Sequence, residues 1–211
     1  MLCFTDKCDQ NMVADVVFFI DSSWTVRKQN FDEYLHIASD IVRRFVIGPD
    51  AVRVALVRYS EGADVVFFLN AHGSEASVLE AISSVQNYPG NRMLGKVLRE
   101  AAGSVLIPNK GRRPEIPAVS VIFVTGYPDD KFLNASKELK KIGHVIALGT
   151  KAAKDDLVTT LASEPSKNFS FFAPDFWSFH SMAEDIARSV CNVALVKDKC
   201  RLNGGFMMNQ G

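Results

Sequence analysis

The chain has 211 residues, which is enough for one α/β domain with a sizeable buried core. Hydrophobic residues make up 47% of it, and 24 basic side chains balance 24 acidic ones. This balance gives no indication of a nucleic-acid partner, and no stretch reaches the roughly 18 apolar residues that a membrane span needs. The first eleven residues lack the apolar core of a signal peptide, so we expect a module of a longer protein.

Apolar runs alternate with segments of helical spacing along the chain and predict strands and helices in turn. Strands are predicted at 16–20, 52–59, 64–69, 119–125, 144–148 and 169–172, and helices at 31–45, 74–85, 95–106, 132–142, 154–162 and 176–191. Because the strand runs are continuously apolar, helices should cover both faces of the sheet. The predicted fold class is therefore α/β, with a doubly wound, mostly parallel sheet.

The strand at 64–69 is predicted to be a single antiparallel edge strand. Only residues 60–63, with the hairpin signal Ser60, Glu61 and Gly62, separate it from the strand before it, and a parallel crossover needs a dozen or more residues. The predicted organisation is an N-terminal segment at 1–13, a folded domain at 14–191 and a C-terminal linker at 192–211. The basic cluster at 110–113 is expected to be a solvated loop.

All four cysteines lie near the chain ends: Cys3, Cys8, Cys191 and Cys200. This placement predicts disulfides that join the two ends, and hence an oxidising compartment. Four cysteines permit three pairings; Cys8 with Cys191 is favoured, while Cys3 and Cys200 could pair with each other or stay free. Two sequons, at Asn134 and Asn168, predict glycosylation sites.

A polar stretch directly follows the first apolar strand and delivers Asp21, Ser23 and Thr25 to its carboxyl end. One carboxylate and two hydroxyls make half of a Mg²⁺ coordination shell, because Mg²⁺ takes about six oxygens. In open parallel sheets this end of the strands is also where ligands bind. The alternative is that Ser22, Ser23 or Thr25 caps the next helix and that Asp21 satisfies buried amides.

This pattern resembles the metal-binding loop of von Willebrand factor type A domains, and the resemblance runs from about residue 15 to residue 191. It is carried in order by the segments Val52–Ser60, Pro89–Asn91, Val121–Thr125, Val145–Gly149 and Ala162–Pro165. It implies the Rossmann-like fold of that family. The sequences of Phe19–Trp24 and Ala162–Pro165 are most similar to those of the amino-terminal A domains of the collagen VI alpha-3 chain.

In that family a metal-ion-dependent adhesion site draws on three loops, and only the first is kept here. Arg92 stands where the second loop normally supplies a threonine, and Gly126 follows Thr125 where the third normally supplies an aspartate. Two oxygen ligands are lost and a positive charge is added. The resemblance thus implies a degenerate site without a metal or cofactor, at Asp21, Ser23, Thr25, Arg92 and Gly126. Arg92 is expected to pair with Asp21, the alternative being that it points to solvent.

The resemblance also implies a function: a non-catalytic module of a secreted, collagen VI-like chain that contributes to microfibril assembly and to matrix or cell binding. Its partners would be other extracellular matrix proteins or neighbouring A domains, with no nucleic acid, membrane insertion or small-molecule substrate. The alternative function is a Mg²⁺-dependent adhesion domain that binds an acidic residue of a partner. No nucleophile or phosphate-binding motif indicates an enzyme, and the four histidines are scattered: His36, His72, His144 and His180.

Overall fold

The structure, a computed structural model, describes residues 11–196, which form one sheet with helices on both faces. The strands are β1 Met12–Asp21, β2 Val52–Tyr59, β3 Ala63–Phe67, β4 Ala118–Val124, β5 His144–Thr150, β6 Ser170–Ala173 and β7 Leu195–Val196. The helices are α1 Lys28–Val42, α2 Glu75–Ser83, α3 Leu94–Ser104, α4 Leu133–Ile142, α5 Asp155–Leu161 and α6 Ala183–Val193. Short 3-10 helices lie at Pro108–Lys110, Ser166–Asn168 and Trp177–Met182.

The strands are ordered β3-β2-β1-β4-β5-β6, so β1 lies in the middle of the sheet. β1 pairs in parallel with both β2 and β4, and β4, β5 and β6 continue in parallel. β3 runs antiparallel to β2 at the edge of the sheet. The predicted doubly wound, mostly parallel fold and its antiparallel edge strand are both confirmed.

The core explains why the apolar strand runs are continuous. All ten residues of β1 and all seven of β4 are buried, because helices cover both faces of the sheet. Each helix turns one apolar stripe toward this core; in α6 the stripe is Ala183, Ile186, Ala187 and Val190. The core therefore holds the carboxyl ends of β1 and β4 side by side, and this positions the site.

The folded unit continues past the predicted boundary at residue 191. α6 ends at Val193, and β7 pairs antiparallel with the start of β1 through Val13–Leu195 and Met12–Val196. The predicted helix at 176–191 is also divided, since its first turns form the 3-10 helix Trp177–Met182. A two-residue strand has no periodicity, so its pairing could not be recognised from the sequence.

The basic cluster at 110–113 is not the solvated loop that we expected. Arg112 is buried, and its Nη1 donates to Asp15 Oδ2 over 3.1 Å. Arg113 donates to the other oxygen of Asp15 from Nε at 2.9 Å and from Nη2 at 2.7 Å. Asp15 is fully buried in the central strand, and the two arginines supply the ion pairs that a buried carboxylate needs.

Candidate functional site

Three loops meet where the central strands end. Asp21 is the last residue of β1, and Thr125 directly follows β4. The loop between α2 and α3 joins them through a parallel bridge between Ser23 and Gly90. The chain thus brings together the three loops in which the resemblance places the adhesion site.

The guanidinium of Arg92 occupies the centre of this arrangement. Its Nε donates to Asp21 Oδ2 over 3.0 Å, and its Nη2 donates to Ser23 Oγ over 2.8 Å and to Thr25 Oγ1. Its Nη1 donates to the carbonyl oxygen of Tyr127 over 3.0 Å. One cationic group therefore contacts all three residues of the predicted ligand loop and links that loop to the one after β4.

Asp21 is fully buried and accepts hydrogen bonds on both carboxylate oxygens. Besides Arg92, the backbone N–H of Ser23 donates to Oδ1 over 2.9 Å and that of Thr125 donates to Oδ2 over 3.1 Å. A buried carboxylate needs such partners in order to remain charged. Asp21 thus satisfies buried amides, as one alternative held, and also pairs with Arg92.

The two acids nearest to Thr125 are engaged elsewhere. Asp129 Oδ2 accepts from the backbone N–H of Arg92 over 2.7 Å, and the N–H of Asp129 donates back to the Arg92 carbonyl over 2.9 Å. Asp130 accepts from the N–H groups of Gly95 at 2.8 Å and Lys96 at 2.7 Å, at the start of α3. Asp129 therefore positions Arg92, and Asp130 caps a helix that has no cap of its own.

Gly126 lies against the guanidinium. A Cβ built there would be 3.0 Å from Arg92 Nη1, and Gly126 is not among the residues with a positive φ angle. A side chain at this position is therefore limited by Arg92 rather than by the backbone. In the described residues 11–196, no group of three or more His, Cys, Asp or Glu side chains is arranged to hold a metal ion.

The hydroxyl residues after β1 do not cap the next helix. α1 begins after Arg27, which makes no side-chain cap. Ser22 Oγ instead donates to Asn87 Oδ1 over 2.6 Å and accepts from the N–H of Tyr88 over 2.8 Å. These bonds fasten the first two loops together, and sequence reasoning did not identify them because they link residues more than 60 positions apart.

Two buried tyrosines support the site from below. The hydroxyl of Tyr34 lies 3.1 Å from Thr125 Oγ1, and that of Tyr59 donates to the Phe123 carbonyl over 2.7 Å. Burial raises the pKa of each tyrosine well above the ordinary value for a tyrosine, and the neighbouring Asp21 carboxylate raises each pKa further. Both hydroxyls therefore stay protonated and act as neutral hydrogen-bonding groups.

Aromatic side chains surround the site at the surface. Trp24 is 70% exposed, Tyr88 72% and Tyr127 44%. Backbone bonds fix two of them to the site, since Trp24 N–H donates to the Gly90 carbonyl and the Tyr127 carbonyl accepts from Arg92. The surface over the buried charges is thus aromatic and accessible.

The remaining predicted site residues lie away from this centre. Cys191 is disulfide-bonded, and the other three predicted disulfide residues, Cys3, Cys8 and Cys200, lie outside the described residues. Asn134, in α4, and Asn168, in the 3-10 helix Ser166–Asn168, are both exposed. Their accessibility is compatible with glycosylation, which stays a prediction.

Comparison with known proteins identifies the fold. The family model of the von Willebrand factor type A domain matches residues 15–185, and the chain belongs to this family. A structure of proximal thread matrix protein 1 from the mussel byssus, with a zinc-occupied MIDAS motif, superposes with a TM-score of 0.78 at 25% identity. The superposition covers 87% of this chain and 47% of the mussel chain.

Relatives by sequence are matrix proteins. The human collagen alpha-1(XX) chain is 30% identical over 94% of this chain, and mouse matrilin-4 is 30% identical over 88%. The chain spans 15% of the length of the first relative and 30% of the second. The mouse collagen alpha-4(VI) chain is 28% identical over 89% of this chain and 8% of its own length. These relatives support a collagen-like or matrilin-like matrix protein without selecting the alpha-3 chain of collagen VI.

The relatives also determine the compartment. Collagens and matrilins are secreted extracellular matrix proteins, and this domain belongs to the same compartment. Within residues 11–196, none of the helices has the length and apolar character required to cross a lipid bilayer.

Proposed function

We propose that the domain is a non-catalytic protein-interaction module of the extracellular matrix in which Arg92 has replaced the metal ion of the adhesion site. It works as part of a collagen VI-like chain, in microfibril assembly and in binding to the matrix or the cell surface. Its partners are other matrix proteins or neighbouring A domains of the same or associated chains. The proposal includes the closer similarity to the amino-terminal A domains of the collagen VI alpha-3 chain.

The observation that carries the proposal is the position of the Arg92 guanidinium. It donates to Asp21, Ser23 and Thr25, the three residues that would have to turn their oxygens toward a cation. A divalent ion next to a fixed guanidinium would be repelled in a site of low dielectric constant. It would also lack two of its usual protein oxygens. The residues present therefore do not fit a resident Mg²⁺ ion.

The acids of the third loop do not restore the fit. Asp129 and Asp130 both accept hydrogen bonds from backbone N–H groups, at Arg92 and at the start of α3. Moving either carboxylate toward an ion would leave those N–H groups without their present acceptors, at a cost of about 1–3 kcal/mol for each buried group. This favours an ion-free site over one in which another acid takes the place of Gly126.

A non-catalytic role is supported by the hydrogen bonds that the polar groups of the site make with one another. The carboxylate, the guanidinium and the hydroxyls bond one another, and burial keeps both tyrosines protonated. None of these groups is a base or nucleophile poised toward solvent. The accessible groups near the site are aromatic, a type that is enriched at protein–protein interfaces.

Calorimetric titration with Mg²⁺ and Mn²⁺ tests the proposal. The unmodified protein should show no binding at millimolar ion, and Arg92→Thr alone should show none because the third-loop carboxylate is still missing. The double variant Arg92→Thr with Gly126→Asp should bind Mg²⁺ measurably, since it supplies both oxygens and removes the guanidinium.

The matched control is Arg112→Thr, which removes the other buried arginine that pairs with a β1 carboxylate. It should leave the protein unable to bind the ions, because it does not alter the ligand loop. Clear Mg²⁺ binding by the unmodified protein would contradict the proposal. It would favour the alternative function, a Mg²⁺-dependent adhesion domain that captures an acidic residue of its partner.

A further inference from the structure

His180 lies between two carboxylates of another element. Its Nδ1 is 2.9 Å from Asp40 Oδ2, and its Nε2 is 2.9 Å from Glu33 Oε2. His180 belongs to the 3-10 helix Trp177–Met182, whereas both acids belong to α1. The imidazole thus joins the segment that follows β6 to the first helix of the domain.

Only one protonation state can make both contacts as hydrogen bonds. A neutral imidazole has one N–H and presents a lone pair at its other nitrogen, whereas the imidazolium has two N–H donors. Since ionised carboxylates only accept, both short contacts are hydrogen bonds when the imidazole is the cation and both acids are charged. The hydrogen bonds to Glu33 and then to Asp40 raise the pKa of His180, and partial burial opposes them.

The other charged groups near this contact do not replace the imidazolium. On α1, Arg43 bonds Asp40 over 3.0 Å, while His36 lines the groove toward the end of α2. On α6, Arg188 pairs with its neighbours Glu184 and Asp185, and the buried face of this helix is apolar. Glu33 is 8% exposed, so the charge on His180 decides whether this carboxylate is neutralised.

The segment that His180 holds has little stability of its own. A 3-10 helix has poorer hydrogen-bond geometry than an α-helix and depends on its tertiary contacts. Phe179 is buried, and Phe176, just before the segment, packs on α1 with its ring centroid 5.0 Å from that of Tyr34. Trp177 is 69% exposed, with its ring 6.5 Å from that of His180. The segment therefore presents an accessible indole and is fastened to α1 beside it.

We propose that His180, Glu33 and Asp40 form a proton-dependent clamp that fixes the 3-10 segment 177–182, with its exposed Trp177, onto α1. Protonation of His180 closes the clamp, and deprotonation opens it by leaving a lone pair against a carboxylate. The surface around Trp177 is consequently ordered at mildly acidic pH and more mobile at alkaline pH. This device does not depend on the absence of a metal at Arg92.

The direction of the pH dependence follows from linkage. The pKa of His180 is raised in the folded state above its ordinary value of 6.5. The stabilisation by the clamp is therefore fully present below about pH 6.5 and is lost as the pH rises through the folded-state pKa. Each unit of difference between the pKa values of the closed and open states corresponds to a tenfold change in the opening equilibrium.

Hydrogen exchange across this pH range tests the clamp, after correction for the intrinsic exchange rate at each pH. Protection of residues 177–183 should fall as the pH rises through the His180 pKa, which is measured on the same protein by NMR. Protection of α4, residues 133–142, should not follow that titration, because the two acids that hold His180 belong to α1 and not to α4.

Two variants complete the experiment. Glu33→Gln with Asp40→Asn should return the His180 pKa toward 6.5 and abolish the pH-dependent loss of protection, with the fold retained. His36→Gln, a control on the exposed side of the same helix, should behave like the unmodified protein. A His180 pKa at or below 6.5, or protection of 177–183 that does not change across its titration, would overturn the proposal.

Discussion

Replacement of Arg92 by methionine should lower the stability of the domain substantially. Met keeps much of the side-chain volume but leaves the fully buried Asp21 without its cation. Removing one partner of a buried ion pair typically costs about 3–5 kcal/mol. We expect a value near the lower limit, roughly 3 kcal/mol, because two backbone N–H groups still donate to Asp21.

Arg112→Met provides a matched comparison at the opposite end of the same strand. In both pairs the arginine side chain is 8% exposed and the aspartate 0%. The difference is that Asp15 retains Arg113, which bonds it from Nε, from Nη2 and from its backbone N–H. The loss should be that of one hydrogen bond to a charged group, about 1.5 kcal/mol, which is roughly half the cost expected for Arg92→Met.

Urea unfolding at neutral pH measures both changes. For a slope of about 3 kcal/mol/M, Arg92→Met should lower the midpoint by about 1 M. Combining it with Asp21→Asn should cost less than the sum of the two single variants, because the double variant leaves no unpaired buried charge. The reasoning is refuted if Arg92→Met costs no more than Arg112→Met, or if the single losses are additive.

Two further predictions concern packing and the chain ends. Gly95→Ala should destabilise the domain by about 1–3 kcal/mol, because its Cβ would lie 2.3 Å from the Lys131 carbonyl oxygen. Gly103→Ala in the same helix would meet no atom within 4 Å and should stabilise the domain by about 0.5–1 kcal/mol. Thermal unfolding that gives both changes the same sign would contradict this. Peptide mapping without reduction should recover Cys191 joined to Cys8, and Cys191→Ser should cost about 2–5 kcal/mol. Four free thiols would exclude this pairing.

The sequence predicted the layers of the fold because buried positions are apolar and recur with the period of the strand or helix that contains them. The apolar runs of β1 and β4 exist since both faces of these strands are covered, and helical spacing identified the helices that cover them. The three-residue connection 60–62 determined the direction of β3 by chain length alone. At the site, the arginine at position 92 already implied a charge partner for Asp21.

Features that depend on contacts between distant residues could not be predicted. The pairing of Arg112 and Arg113 with Asp15 joins residues nearly 100 positions apart, and a basic cluster carries no sign of such a partner. His180 meets Glu33 and Asp40 only because the fold packs the 3-10 segment against α1. Asp129 and Asp130 follow Thr125 closely in the sequence. Their roles as acceptors for backbone N–H groups could not be predicted, because those groups belong to the loop before α3 and to the start of α3.

The proposed replacement of an ion by a guanidinium would change how the three loops are held together. An ion in this position would couple the arrangement of the loops to its concentration in the surroundings, because it binds and dissociates. Arg92 is covalently part of the second loop, and it bonds the first loop through Asp21 and the third through the Tyr127 carbonyl. In the function that we propose, the loops beneath Trp24, Tyr88 and Tyr127 are held without a metal, and recognition at this end of the sheet uses these accessible aromatic side chains rather than coordination of a partner's carboxylate.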